Sequence, residues 1–245
     1  MANWSDPRIG AAQPAPATTA GRDVAYDAGL RSYMLSVYNY MTSGILLTGV
    51  VALLFSQWDG APAILFGPGL LKYLIIFSPL AFVLVLSFGI NRLSTGTAQL
   101  LFWAFSVVMG LSMASIFFVY TNTSIATTFF ATAAAFASLS LYGYTTKRDL
   151  SGMGTFLIMG VVGLIVAMVL NLFLQSSALQ MAISAIGVLL FAGLTAYDTQ
   201  RIKNMYAYVA GTDMMGKAVI MGALSLYLDF INMFTFLLQF LGGRE

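Results

Sequence analysis

Cysteine and histidine are both missing from this chain. Their absence excludes disulfides, CxxC redox pairs, thiolate or imidazole zinc sites, and any Ser-His-Asp or Cys-His triad. Charge is scarce too: Asp, Glu, Lys and Arg make up 8% of 245 residues, against about a quarter in a typical soluble domain. A globule this size could not cover its surface in water with so few charges. The formal net charge of +2 is too small to indicate a nucleic-acid partner. The groups left for chemistry near neutral pH are environment-shifted Asp, Lys or Tyr; an enzyme is not expected, and neither is an organic cofactor.

Apolar residues dominate, at 59%, with a mean hydropathy of +0.86. A bilayer core about 30 Å thick needs about 20 apolar residues per helix. Seven stretches qualify, at residues 33–55, 70–90, 100–120, 125–144, 154–174, 179–197 and 219–241. They are long and unbroken, unlike the short alternating runs of a β-barrel. The sequence therefore predicts an all-α, polytopic membrane protein with short connections, built as one seven-helix bundle. Residues 1–28, rich in Ala, Pro and Thr, read as a flexible polar tail before a transmembrane domain at 29–245. The tail lacks the apolar region of a signal peptide. Pro79 alone falls within a span, where a kink is expected.

Lysine and arginine predict the orientation. With the N-terminus in the cytoplasm, nine basic residues (Arg8, Arg22, Arg31, Arg92, Lys147, Arg148, Arg201, Lys203, Lys217) lie inside, and two (Lys72, Arg244) lie outside.

Seven of the nine acidic residues sit in the tail, the loops or the C-terminus. Asp229 lies in the apolar run "GALSLYLDFINMFTFLLQF", and Asp198 borders the sixth span. An Asp at a helix centre costs about 2.5–3.5 kcal/mol on insertion, so it must turn away from lipid. At 100° per residue, Gly222, Ser225, Asp229, Asn232 and Gln239 share an arc of about 100°. On the sixth span, Ser184, Gly187, Phe191, Thr195 and Asp198 share one narrow face. Asp229 enters about ten residues into its segment, or ~15 Å, with Asp198 nearer the same surface. Two carboxylates at similar depth on antiparallel neighbours are placed to meet. In a dry site both cannot ionise cheaply, so such a pair would titrate as a unit and attract a cation when deprotonated. With Asn232, backbone carbonyls and water, they would offer calcium only a weak site.

Plainer readings stand beside these. Asp198 could be an interfacial carboxylate paired with Arg201 or Lys203, and Asp229 a structural hydrogen-bonding group. Asn171, in "VLNLFL", reads as helix–helix glue or as part of the supporting polar face. Arg92, after the second span, reads as an inside anchor or as a movable counter-ion.

"GLTAYDTQRIKNMY", "MGALSLYLDFINMFTFLLQFLG" and "SLYGYTTKRDLSGMG" closely resemble the bacterial, YccA-like branch of the transmembrane Bax-inhibitor-motif family. The resemblance covers residues 30–242. It implies a seven-helix bundle with the last helix central, and a calcium leak gated by an aspartate pair matching Asp198 and Asp229. It also implies a latch arginine, for which Arg92 is the nearest match. Through the family it implies the cytoplasmic membrane of a bacterium. The alternative function it implies is restraint of a membrane-anchored ATP-dependent protease, or stress survival through protein contacts, with the tail used for the contact and without transport. An intramembrane aspartyl protease would also present two aspartates, but those enzymes carry Gly-x-Gly before the second. Here Leu226, Tyr227 and Leu228 stand in that place.

Overall fold

The computed structural model describes residues 19–243, with side chains from Val24 onward. Eight α-helices follow one another: α1 (Thr19–Ser56), the short α2 (Ala61–Phe66), α3 (Leu70–Gly89), α4 (Thr95–Met113), α5 (Asn122–Thr145), α6 (Ser151–Leu174), α7 (Ser177–Val209) and α8 (Met215–Leu241). A 3-10 turn, Ala114–Phe118, extends α4. Seven of these segments, all but α2, are long and apolar enough to cross a membrane. The protein is an all-α polytopic membrane protein, as the hydropathy predicts.

Local sequence explains the breaks. Ser94, Thr121 and Ser176 cap α4, α5 and α7, each side-chain oxygen accepting from a backbone N–H three residues on. Gln175 turns the chain between α6 and α7 in the left-handed region, at φ 48°. Helix α3 continues through Pro79. The proline cannot donate to the Ile75 carbonyl, and the hydroxyl of Ser78 donates to it instead, at 3.1 Å.

α8 is the centre of the bundle. It packs on α7, α1, α5 and α4, and α7–α8 is the most extensive helix–helix interface. Its C-terminus reaches the far end, where Gly243 accepts from Thr121 N–H and donates to Ser124 Oγ. The last helix therefore runs the full depth of the bundle, about 40 Å at 1.5 Å per residue. The α3–α4, α5–α6 and α7–α8 connections gather at the opposite end, with Arg92, Lys147 and Arg148 in them and Lys217 just beyond.

Two expected boundaries shift. Residues 19–28, read as part of the tail, are the first turns of α1, and residues 1–18 of that tail lie outside the described residues. The polar stretch after Asp198, read as a loop from Arg201, stays helical to Val209. Asp198 is thus well inside α7 rather than near its end. The amphipathic continuation explains the difference: Ile202, Tyr206 and Val209 are buried at helical spacing while Arg201 and Tyr208 face outward.

Small residues set the closest approaches. A Cβ on Gly143 would lie 2.2 Å from the Ala196 carbonyl oxygen, so α5 and α7 meet backbone to backbone there. On Gly187 it would lie 2.6 Å from the Phe236 ring, which seats α8 on α7. Gly143→Ala is expected to destabilise the fold by about 1–3 kcal/mol. Gly163→Ala, where a Cβ meets nothing within 4 Å, is expected to be neutral or slightly stabilising. Thermal unfolding of the two variants in detergent checks the contrast.

Candidate functional site

The candidate site begins with two buried carboxylates. Asp198 is 8% exposed and Asp229 is 4% exposed. They lie on the two helices that share the largest interface, and Asp229 is within electrostatic reach of both Asp198 and Arg201. Oδ2 of Asp229 is buried with no hydrogen-bond partner. Arg201 Nη1 sits 3.4 Å from Asp198 Oδ1, and this is the one ion pair among the described residues. Buried polar groups are normally satisfied, so an orphaned carboxylate oxygen beside a second carboxylate marks the place where the bundle holds unspent polarity.

Aromatic rings fix how α8 turns. On one flank of Asp229, Tyr227 packs edge-on against Phe105 and Phe102 of α4. On the other, Phe230 packs against Phe129 and Phe136 of α5. The Tyr227 hydroxyl hydrogen-bonds Thr48 Oγ1 at 2.6 Å, and Thr48 in turn donates to the Ser106 carbonyl. Rotating α8 would break both ring clusters and that bond, so Asp229 is held toward α7.

The supporting residues divide. Thr195, one turn before Asp198, is buried and donates to the Phe191 carbonyl of its own helix. Ser225 and Asn232 lie one turn to either side of Asp229 and are half-buried. The Asn232 amide donates to the Leu228 carbonyl. Asn171 is elsewhere. Its amide donates to Gln180 Oε1 and its oxygen accepts from Ser176 N–H, tying the α6–α7 turn. That turn is at the end of α7 some 30 Å from Asp198 at 1.5 Å per residue. The glue reading therefore describes Asn171, and the polar-face reading does not. Gln239 joins the same distant network through Gln180 and Ser184.

Arg92 is exposed in the α3–α4 turn and makes no ion pair among the described residues. The guanidinium beside Asp198 belongs to Arg201, one helical turn along α7. The i,i+3 spacing in "DTQR" already carried that contact.

Sequence reasoning missed Gln200. Its amide donates to the Arg148 carbonyl and its oxygen accepts from Leu150 N–H, so it clamps the α5–α6 connection. Lys203 completes the clamp by donating to the Tyr144 carbonyl at 2.8 Å. Asp149 then turns the chain into α6: hydrogen bonds from the Ser151 side chain and backbone N–H hold its carboxyl below the usual range. That local stabilisation is present above the ordinary Asp range and is lost as pH falls through the lowered value. A second missed chain links hydroxyls of three helices, Tyr38 to Ser140 to Thr199, and Thr199 donates to the Thr195 carbonyl beside Asp198. Gln200, Thr199, Ser140 and Arg148 lie in the motifs "YDTQ" and "SLYGYTTKRD", but pairing them with each other and with Tyr38 required the helix packing.

Two carboxylates are the whole acidic set, since no group of three or more Asp, Glu, His or Cys side chains is placed to hold a metal among the described residues. Calcium takes six to eight oxygens, more than these two carboxylates supply.

The comparisons agree with this architecture. A family model described as "Inhibitor of apoptosis-promoting Bax1" matches residues 30–245. The uncharacterized protein RP147 of Rickettsia prowazekii is 48% identical over 229 residues, covering 93% of this chain and 96% of its own. A Caulobacter vibrioides protein is 46% identical over 246 residues, covering 96% and 97%. Inner membrane protein YbhL of Escherichia coli is 48% identical over 220 residues, covering 89% and 94%. The chain belongs to the Bax inhibitor family of membrane proteins, the family that its aspartate motifs resemble.

Gln200→Leu is expected to free the α5–α6 connection without unfolding the bundle. Trypsin should then cut at Lys147 or Arg148 about tenfold faster, the factor that follows from losing about 1.4 kcal/mol of hydrogen bonding to the loop backbone. Unchanged cleavage would mean that the loop is held by something else.

Proposed function

We propose that this protein is a pH-sensitive cation leak, with calcium as the passing ion and Asp198 and Asp229 as one shared sensor and ion site. The observation that supports the reading is the buried Asp229 Oδ2, which has no hydrogen-bond partner and lies within electrostatic reach of Asp198. An intramembrane carboxylate that no structural partner uses is a functional group by default. Deprotonated, the pair attracts a cation into the bundle; protonated, it has no charge to offer.

Arg201 acts in this scheme as the counter-ion. Its guanidinium occupies the negative charge of Asp198 and competes with the ion for it. Arg92, exposed in a turn, takes the anchor role. The membrane is the inner membrane of a bacterium, by analogy with the printed location of YbhL. The basic connections support an N-terminus in the cytoplasm. Restraint of a membrane-anchored protease, which would use the N-terminal tail, is the function left if no ion moves.

Calcium flux into dye-loaded proteoliposomes, followed between about pH 5 and pH 8, tests the reading. Wild type is expected to leak above empty liposomes, with a rate that changes about tenfold across the range, as one titrating site allows. Asp198→Asn and Asp229→Asn, isosteric but unable to ionise, should each flatten that change to under about twofold. Arg201→Gln should raise the leak severalfold, and Arg92→Gln should leave it unchanged. Wild-type flux that never exceeds the empty-liposome background sinks the proposal.

A further inference from the structure

A large cavity lies apart from the aspartate pair. It is a groove of about 770 Å³ between α1 and α5, which the Tyr38–Ser140 hydrogen bond joins within its lining, and Phe230 of α8 lines it too. Its walls are apolar side chains such as Met34, Met41, Ile45 and Phe129. Several lining residues, Leu35, Leu46 and Leu141 among them, are exposed, so the groove opens sideways, out of the bundle. In a membrane that opening faces hydrocarbon.

We infer that this groove binds one acyl chain of an anionic phospholipid, whose headgroup lies at Arg31. Three features support the assignment. First, length: the lining on α1 runs from Arg31 to Leu46, about 22 Å at 1.5 Å per residue. That exceeds the ~15 Å of one leaflet's hydrocarbon, so a single extended chain fills it from the interface inward. Second, depth: α1 is 38 residues long, or about 57 Å, and counting back one ~30 Å hydrocarbon core from Ser56 ends a few residues after Arg31. Arg31 is therefore at headgroup level. Third, charge: Arg31 is exposed at the mouth and makes no ion pair among the described residues, not even with Asp27 one turn away. Lys203 adds a second cation beside the rim, held on the carbonyl and ring of Tyr144, which itself lines the groove. An apolar recess open to lipid, capped by cations at interface depth, is the shape and chemistry of an anionic lipid site.

The alternatives differ in what they predict. A neutral lipid would leave Arg31 unused, and a helix of a second copy would need a long apolar face rather than one slot ending in a charge.

Purified full-length protein, delipidated in mild detergent and titrated with phosphatidylglycerol or phosphatidylcholine, tests the assignment by native mass spectrometry. Phosphatidylglycerol is expected to be retained about fivefold more strongly than phosphatidylcholine, the factor that one interfacial cation contributes. Arg31→Gln should cut that preference to under about twofold, Lys203 being already held on the Tyr144 carbonyl, while leaving acyl binding intact. Ala137→Trp, which places a ring from an exposed position into the groove, should remove the bound lipid of both kinds. Both positions are exposed, and unchanged melting temperatures would show that folding is untouched. Equal retention of the two lipids by wild type overturns the proposal. So does lipid that survives Ala137→Trp, or dimers that appear on delipidation and vanish in that variant.

Discussion

A carboxylate that must cross a bilayer has nowhere cheap to go, and the whole bundle is arranged around that constraint. Exposing Asp229 to acyl chains would cost several kcal/mol, so α8 cannot be a peripheral helix. It becomes the central one, wrapped by α1, α4, α5 and α7. Once it is central, the rest follows. Its apolar residues have to find partners on every side, which they do in two ring clusters flanking the acid. The helix carrying the second carboxylate has to come close enough to share the site. Gly187 permits that approach by leaving room for the Phe236 ring.

The polar interior is partitioned rather than continuous. At one end, Asn171, Gln180, Ser184 and Gln239 satisfy one another and knit the α6–α7 turn to the end of α8. At the other, Gln200 and Lys203 fasten the α5–α6 connection. Between them, hydroxyls of Thr195 and Thr199 bond back to their own helix. Every one of these groups has a partner, which is the condition for keeping polar atoms inside a membrane bundle. Among the described residues, Asp229 Oδ2 stands apart from them as the buried side-chain oxygen without one. A structural role would have been met by a partner as ordinary as those found by Gln180 or Gln200.

The inward-facing aspartates were legible from periodicity, whereas the central place of the last helix was legible through the family resemblance. A charged residue in an apolar run has one permitted direction, and the 100° step tells which neighbours share it. Ser184 to Asp198 on α7 is such a stripe, and all five of its members are buried. What periodicity could not supply was register between helices. Asn171 looked equivalent to Asn232 along the chain, yet the two lie at different depths, one capping a turn and one beside the acid. Gln200 carried no signal of its role, because its partners, Arg148 and Leu150, are about fifty positions away in sequence. The end of α7 was misread for a related reason. Polar residues after Asp198 mimic a loop until the buried series Ile202, Tyr206 and Val209 is seen to have a surface to pack on.

Arg201 follows from the same extension of α7. Had the helix stopped at Tyr197, no i,i+3 geometry would connect Asp198 to a guanidinium, and the counter-ion would have to come from another element such as the α3–α4 turn. Because the helix continues, the counter-ion is built into the element that carries the acid. A latch brought from another helix opens by moving that helix. A latch on the same helix opens by a change of rotamer, with the backbone still. The Arg201 side chain is half exposed while its contact on Asp198 is mostly buried, so the guanidinium lies at a boundary between water and the bundle. In the proposed leak, water at that boundary would take over the solvation of the arginine as a cation displaced it from the carboxylate, at far less cost than in a closed core.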